Sequence, residues 1–81
     1  MMRQEKYDRL VERLGSAENF DKRPREIWTE EEVEIYTQRE TLKNYLEDIK
    51  AATGDKKAVY ENNFDKLYSA LWNKLDELGW K

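Results

Sequence analysis

The side chains that could carry out chemistry in this chain are carboxylates, lysines, tyrosines and hydroxyls, because its 81 residues include no cysteine and no histidine. Their absence excludes disulfide bonds, thiolate nucleophiles, imidazole bases and the usual zinc sites. Any hydrolase built from this sequence would need a carboxylate-bound Mg²⁺ or an unusual base. The densest group of carboxylates is the run Glu30, Glu31, Glu32 and Glu34.

Glu31 and Glu34 have the spacing of half a magnesium site. The pair resembles the first half of the Glu-x-x-Glu and Glu-x-x-Asp arrangement of the all-helical nucleotide pyrophosphatases. The second half is missing, because Glu47 is followed three residues later by Lys50, and the residue three after Glu61 is a phenylalanine. We therefore expect no enzyme, no metal site, no cofactor and no catalytic residue.

The acidic run also has a structural explanation as the start of a helix. Thr29 can cap the helix, Glu32 can complete a reciprocal capping box, and Trp28 can pack on Val33. Carboxylates in the first turn complement the positive helix end, each contributing about 0.3 to 1 kcal/mol. The same carboxylates could form a charged rim that steers a basic partner, or a surface that imitates nucleic acid.

Three amphipathic segments must position these side chains. Apolar spacing predicts helices over about residues 2–14, 30–53 and 56–78, with Gly15 ending the first. Between the last two, Gly54 suits a left-handed helix end and Asp55 suits the next N-cap. So short a turn requires an antiparallel hairpin, in which facing positions have residue numbers that sum to about 108.

The predicted fold is all-α and forms one small domain over residues 1–81. The hairpin carries the shorter N-terminal helix along one side, and residues 15–28 form a connector. Phe20 and Ile27 would pin this connector to the core, and the alternative is that so long a connection serves as a binding loop. Two assemblies remain open at this point. The chain could close as a monomeric three-helix bundle or as a homodimer of hairpins.

Aromatic side chains at the edges of the hairpin are the main candidates for a binding surface. Trp72, Tyr68 and Trp80 broaden the stripe of the last helix, and Tyr36 joins a second patch with Val33 and Trp28. Trp and Tyr are enriched at interface hot spots, which favours a partner or self-association face. The alternative is that they pack in the core under the first helix.

A basic cluster in the connector supports a different hypothesis, in which the protein binds nucleic acid. Lys22, Arg23 and Arg25, with help from Arg3, Arg9 and Arg13, could contact nucleic-acid phosphates. The acidic run begins a few residues further on, so local neutralisation explains the cluster as well.

We therefore predict a non-catalytic protein–protein interaction module, such as an adaptor, assembly factor or inhibitor of a larger protein. Its anchors would be the edge aromatics, with Glu30, Glu31 and Glu34 as a charged rim. Its net charge is −3 and charged residues make up 41% of the chain, so we expect a small acidic protein of the cytoplasm and no membrane partner. The alternatives are a nucleic-acid-associated protein that uses the basic residues, or an acidic nucleic-acid mimic.

Overall fold

A computed structural model of the chain describes residues 2–16 and 24–80. It contains three α-helices, which we number α1 (Arg3–Ser16), α2 (Glu30–Ala51) and α3 (Gly54–Glu77), and a short 3₁₀ turn at Arg25–Ile27. α2 and α3 pack against each other, and the shorter α1 completes a three-helix bundle. The all-α fold and its long hairpin are therefore confirmed. No helix in the described ranges is long and apolar enough to cross a lipid bilayer.

Ion pairs between the helices fix their directions. Lys74 Nζ lies 3.4 Å from Glu34 Oε2, and these two residue numbers give the predicted sum of about 108. α2 and α3 are therefore antiparallel in the expected register. Arg3 binds Asp65 and Arg13 binds Asp76, so residue numbers rise together along α1 and α3. α1 thus runs parallel to α3, and the bundle has a simple up-down-up topology.

The core contains residues from each predicted apolar stripe. Within residues 2–16 and 24–80, eight hydrophobic side chains are buried, and all of these come from the three α-helices: Leu10, Leu14, Ile35, Leu42, Leu46, Phe64, Leu71 and Leu75. Partly buried aromatics and aliphatics extend this core toward the surface. Because α1 supplies two of the eight, it is an integral layer of the bundle.

The hairpin turn differs in detail from the sequence prediction. Ala52 and Thr53 are extended, and the Ala52 N–H donates to the Asp48 carbonyl at 2.8 Å. Gly54 has the expected positive φ of 64°, but it begins α3 and does not end α2. Thr53 is therefore the N-cap, without a side-chain capping bond, and Asp55 lies in the first turn. The two extended residues reverse the direction of the chain before Gly54 is reached. Gly54 therefore lies at the beginning of α3 and not at the end of α2.

Of the two glycines that were predicted to end helices, Gly79 ends α3 and Gly15 does not end α1. Gly79 has φ 74°, its N–H donates to the Asp76 carbonyl, and the Trp80 N–H donates to the Leu75 carbonyl at 2.9 Å. This pair of bonds is a Schellman motif, so the predicted stop at Gly79 is confirmed. The predicted stop at Gly15 is wrong, since α1 continues to Ser16.

The connector is described only from residue 24 onward. The predicted anchor Phe20 lies outside the described residues. The other anchor, Ile27, does not pin the connector, because 61% of its surface is exposed. The Ile27 N–H closes the 3₁₀ turn by donating to the Pro24 carbonyl at 3.1 Å, and this local turn directs the side chain outward.

The start of α2 has the predicted capping box. The Glu32 N–H donates to Thr29 Oγ1, and the Thr29 N–H donates to Glu32 Oε1, both at 3.2 Å. Glu32 is buried, so one member of the acidic run is committed to helix initiation. The signature could be recognised from sequence because it depends on two residues three positions apart.

Replacing Thr29 with alanine should lower the free energy of unfolding by about 1 kcal/mol, because the first turn of α2 loses its side-chain acceptor. Urea denaturation followed by circular dichroism measures the change. Thr29→Ser keeps the hydroxyl and serves as the matched control. Equal stability of the alanine and serine variants would contradict a contribution from the capping box.

Candidate functional site

Three aromatic side chains form a ladder along α3, and we call Phe64, Tyr68 and Trp72 the aromatic ladder. Their spacing of four residues places them on one face of the helix. The rings of Phe64 and Tyr68 are stacked at 6.1 Å between centroids, and those of Tyr68 and Trp72 at 5.7 Å. Phe64 is fully buried, whereas the other two rings are partly buried.

α1 covers part of this ladder with its cationic side chains. Lys6 Nζ lies 5.6 Å from the centroid of the Tyr68 ring, and the Arg13 guanidinium carbon lies 4.6 Å from the centroid of Trp72. Both distances suit cation–π attraction. The structure therefore shows Tyr68 and Trp72 contacting α1. Their predicted use as partner anchors stays a prediction.

Arg13 also joins the end of α1 to the end of α3. Its guanidinium donates to Asp76 Oδ1 at 2.6 Å and to the Trp80 carbonyl at 2.6 and 3.2 Å. The Schellman motif places that carbonyl within reach by turning the chain back over α3. Trp80, another predicted anchor, packs partly buried against the core. Arg13 thus binds a ring, a carboxylate and a backbone carbonyl.

Arg3 makes the matching contact at the start of α1. It donates to both carboxylate oxygens of Asp65, at 3.0 and 2.8 Å, and to Glu61 Oε2 at 3.1 Å. The side-chain hydrogen bond to Asp65 is the main cause that raises the pKa of the guanidinium above its already high ordinary value, although burial opposes it. Because folding favours the cation, this stabilisation is present at neutral pH and is lost only in strong alkali.

The contacts of Arg3 and Arg13 concern the alternative prediction that the protein binds nucleic acid through its arginines. Arg3 and Arg13, two of the arginines that could bind phosphate, are engaged by carboxylates of α3, while Arg9 is exposed. Lys22 and Arg23 lie outside the described residues, and Arg25 begins the 3₁₀ turn. The sequence could not reveal that Arg3 and Arg13 each pair with carboxylates of α3, because these contacts depend on how α1 is rotated against α3.

The predicted acidic rim lies at the start of α2. Glu30 and Glu31 are exposed, whereas Glu34 accepts hydrogen bonds from Lys74 and from Gln38, both at 3.4 Å. Across residues 2–16 and 24–80, no group of three or more carboxylates is placed to hold a metal ion. Glu31 and Glu34 therefore do not meet a second carboxylate pair within that part of the chain.

Apolar side chains are exposed at this same end of α2. Ile27 keeps 61% of its surface exposed and Val33 keeps 47%. Beside them, the rings of Trp28 and Tyr36 form a tilted pair at 5.4 Å, and the Arg39 guanidinium lies 4.8 Å from the Tyr36 centroid. The predicted anchor Tyr36 is thus partly buried in this local cluster.

We use the name acidic-apolar patch for four exposed residues at the start of α2, namely Ile27, Glu30, Glu31 and Val33. Glu30 shares a ridge of the helix with Val33, whereas Glu31, two positions from Val33, faces another side. The sequence identified the carboxylates of this patch but assigned Ile27 to the core. The signal in the sequence for its exposure was Pro24, three residues earlier, which favours a local turn. Comparisons of the chain with protein-family models, with curated proteins and with solved structures find no match.

Proposed function

We propose that this protein is a non-catalytic interaction module, acting as an adaptor, assembly factor or inhibitor, that binds another protein through the start of α2. The observation that carries the proposal is the acidic-apolar patch, where Ile27 and Val33 are exposed at the helix start that also carries the exposed Glu30 and Glu31. Apolar side chains within a polar rim are typical of protein-binding surfaces. Each of these side chains can reach a partner without any rearrangement of the bundle.

The predicted anchors then divide into two groups. Tyr36 lies beside the acidic-apolar patch and can border a partner there, with Glu34 at the rim. Tyr68, Trp72 and Trp80 lie beside α1 and contribute by holding that helix in place. This division assigns a place to each predicted aromatic anchor and requires only one exposed surface.

Site-specific photo-crosslinking in cells of the source organism tests the proposal. A photoreactive amino acid replaces Val33 in one variant and Asn62, an exposed residue of α3, in the matched control. We expect a discrete protein adduct from position 33 and none from position 62. The two positions differ only in the surface that they sample.

Several outcomes separate the proposal from its alternatives. An adduct that nuclease removes would favour the nucleic-acid-associated function. An adduct of exactly twice the chain mass would favour a homodimer, which light scattering would check. Absence of any protein adduct at a series of exposed positions around the bundle would contradict the proposed function, and an adduct at position 62 alone would move the surface to α3. The cytoplasmic location stays a prediction.

A further inference from the structure

We infer that α1 is a movable cover, which opens from α3 as one unit while α2 and α3 stay paired, and that charged contacts hold it closed. The inference concerns a different surface from the acidic-apolar patch and does not depend on the proposed function. It follows from the distribution of buried side chains, the contacts at the two ends of α1, and the length of chain that joins α1 to α2.

The distribution of buried side chains is the first step of the argument. Six of the eight hydrophobic side chains that are buried within the described residues belong to α2 and α3, so most of the core lies within the hairpin. α1 contributes Leu10 and Leu14, which lie four residues apart on one face. A helix of 14 residues is marginal on its own in water. α1 therefore either stays docked over its length or separates as a whole, whereas the hairpin keeps the core contacts between α2 and α3.

The contacts at the two ends of α1 are the second step, because they join this helix to α3 through charge. Near the start of α1, Arg3 binds Asp65 and Glu61, and near its end Arg13 binds Asp76. The Asp65 side chain is 43% exposed and that of Asp76 is 59% exposed, so dissolved ions can reach both contacts and weaken them. The attachment of α1 to α3 therefore depends on ionic strength.

The length of chain between α1 and α2 is the third step. α1 ends at Ser16 and α2 begins at Glu30, and both lie at the same end of the bundle because the two helices are antiparallel. Packed helices lie about 8 to 10 Å apart, and bundles usually join neighbouring helices with about 2 to 8 residues. Residues 17–29 could span up to about 40 Å. α1 can therefore leave α3 without pulling on α2.

Opening of α1 changes the exposure of the aromatic ladder. In the closed bundle, Tyr68 and Trp72 lie against the cations of Lys6 and Arg13 and are partly buried. When α1 separates, both rings lose these contacts and become accessible along α3. The position of α1 thus controls access to two of the side chains that the sequence predicted as partner anchors.

Native-state hydrogen exchange of the full chain tests the inference. We expect the amides of residues 7–14 to exchange at least about tenfold faster than those of Leu42 and Leu71, with similar protection factors among themselves. Raising sodium chloride from about 0.02 M to about 1 M should accelerate exchange in α1 about threefold to tenfold, because the charged contacts are screened. Exchange in the hairpin should change less.

Variants that remove single charges identify the contacts that hold α1 closed. Asp65→Asn and Asp76→Asn each remove a carboxylate that an arginine of α1 binds. Each should accelerate exchange in α1 about threefold in dilute salt and reduce the effect of added salt. Glu47→Gln changes an exposed carboxylate of α2 and is the matched control, so it should exchange as the parent chain does. Circular dichroism verifies that each variant keeps its helices.

Thiol labelling provides an independent measurement, because the chain has no cysteine of its own. Leu14→Cys and Leu42→Cys each place a single thiol at a fully buried position, one in α1 and one in α2. Under native conditions, the thiol at position 14 should react with a maleimide at least about tenfold faster than the thiol at position 42. Urea denaturation of both variants accounts for any difference in their global stability.

Several results would each overturn the inference. Equal protection of the amides in α1 and in the hairpin, or equal labelling at positions 14 and 42, would mean that the bundle opens only as a whole. Protection that declines step by step from Leu14 toward Arg3 would mean that α1 frays from one end and does not open as a unit. Exchange in α1 that responds neither to salt nor to Asp65→Asn and Asp76→Asn would exclude the charged contacts as the cause that holds it closed.

Discussion

Replacing Phe64 with alanine is expected to lower the free energy of unfolding by about 3 to 5 kcal/mol, the largest effect that we predict for a single substitution. Phe64 is the largest fully buried side chain among the residues that the structure describes, and its ring stacks on that of Tyr68. The truncation would remove its contacts with the core and leave a cavity. A chain of this length has a total free energy of unfolding of roughly 4 to 12 kcal/mol. The variant should therefore lose a large share of its stability.

Thermal and urea denaturation followed by circular dichroism measure this loss. The melting temperature should fall by about 12 °C or more. Phe64→Leu keeps most of the apolar volume and should cost less than half as much. Val59→Ala, which truncates an exposed residue of the same helix, is the matched control and should change little. Equal effects at positions 64 and 59 would contradict the placement of Phe64 in the core.

Replacing Arg13 with alanine should lower the free energy of unfolding by roughly 2 to 3 kcal/mol and should loosen α1 before the rest of the bundle. The Arg13 side chain is only 12% exposed, and it joins Asp76, the Trp80 carbonyl and the Trp72 ring. Its removal leaves a carbonyl and a ring without their cation. Most charged surface residues contribute less than 1 kcal/mol, so an effect of this size would distinguish Arg13 from them.

Hydrogen exchange locates the effect of this substitution, since amides of α1 should exchange faster while those of Leu42 and Leu71 change less. Arg13→Lys keeps the charge but loses the planar fork, and we expect it to recover less than half of the lost stability. Arg9→Ala is the control, because Arg9 is an exposed arginine of the same helix. If Arg13→Ala and Arg9→Ala have equal stability, Arg13 does not hold α1 in place.

Local signals in the sequence predicted much of this fold correctly. The capping box of Thr29 and Glu32 and the helix stop at Gly79 are each encoded within a few residues, and both are confirmed. The hairpin register also followed from the turn, as the pair Glu34 and Lys74 shows. Helix boundaries were less accurate. Extended residues at Ala52 and Thr53 moved the turn, and Gly15 did not stop α1.

The remaining features depend on how separate elements are rotated against each other. The rotation of α1 decides that Arg3 and Arg13 meet carboxylates of α3, and no local pattern encodes it. The outward direction of Ile27 depends on a single turn that sequence composition suggests only weakly. The sequence therefore indicated only part of the acidic-apolar patch. Glu30 and Glu31 indicated its charge, whereas Ile27 was assigned to the core and Val33 to a hydrophobic staple.

The two-residue link between α2 and α3 has a consequence for the order in which the molecule folds. Pairing near Ala52 and Thr53 closes very short loops and can extend from there along the hairpin. The contact between Arg3 and Asp65 joins residues 62 apart in sequence, and its docking face exists only once the hairpin has formed. We therefore expect α1 to dock after the rate-limiting barrier. Contacts that form after the barrier chiefly lower the unfolding rate. We therefore expect the contacts of Arg13 to affect the unfolding rate and to have little influence on the folding rate.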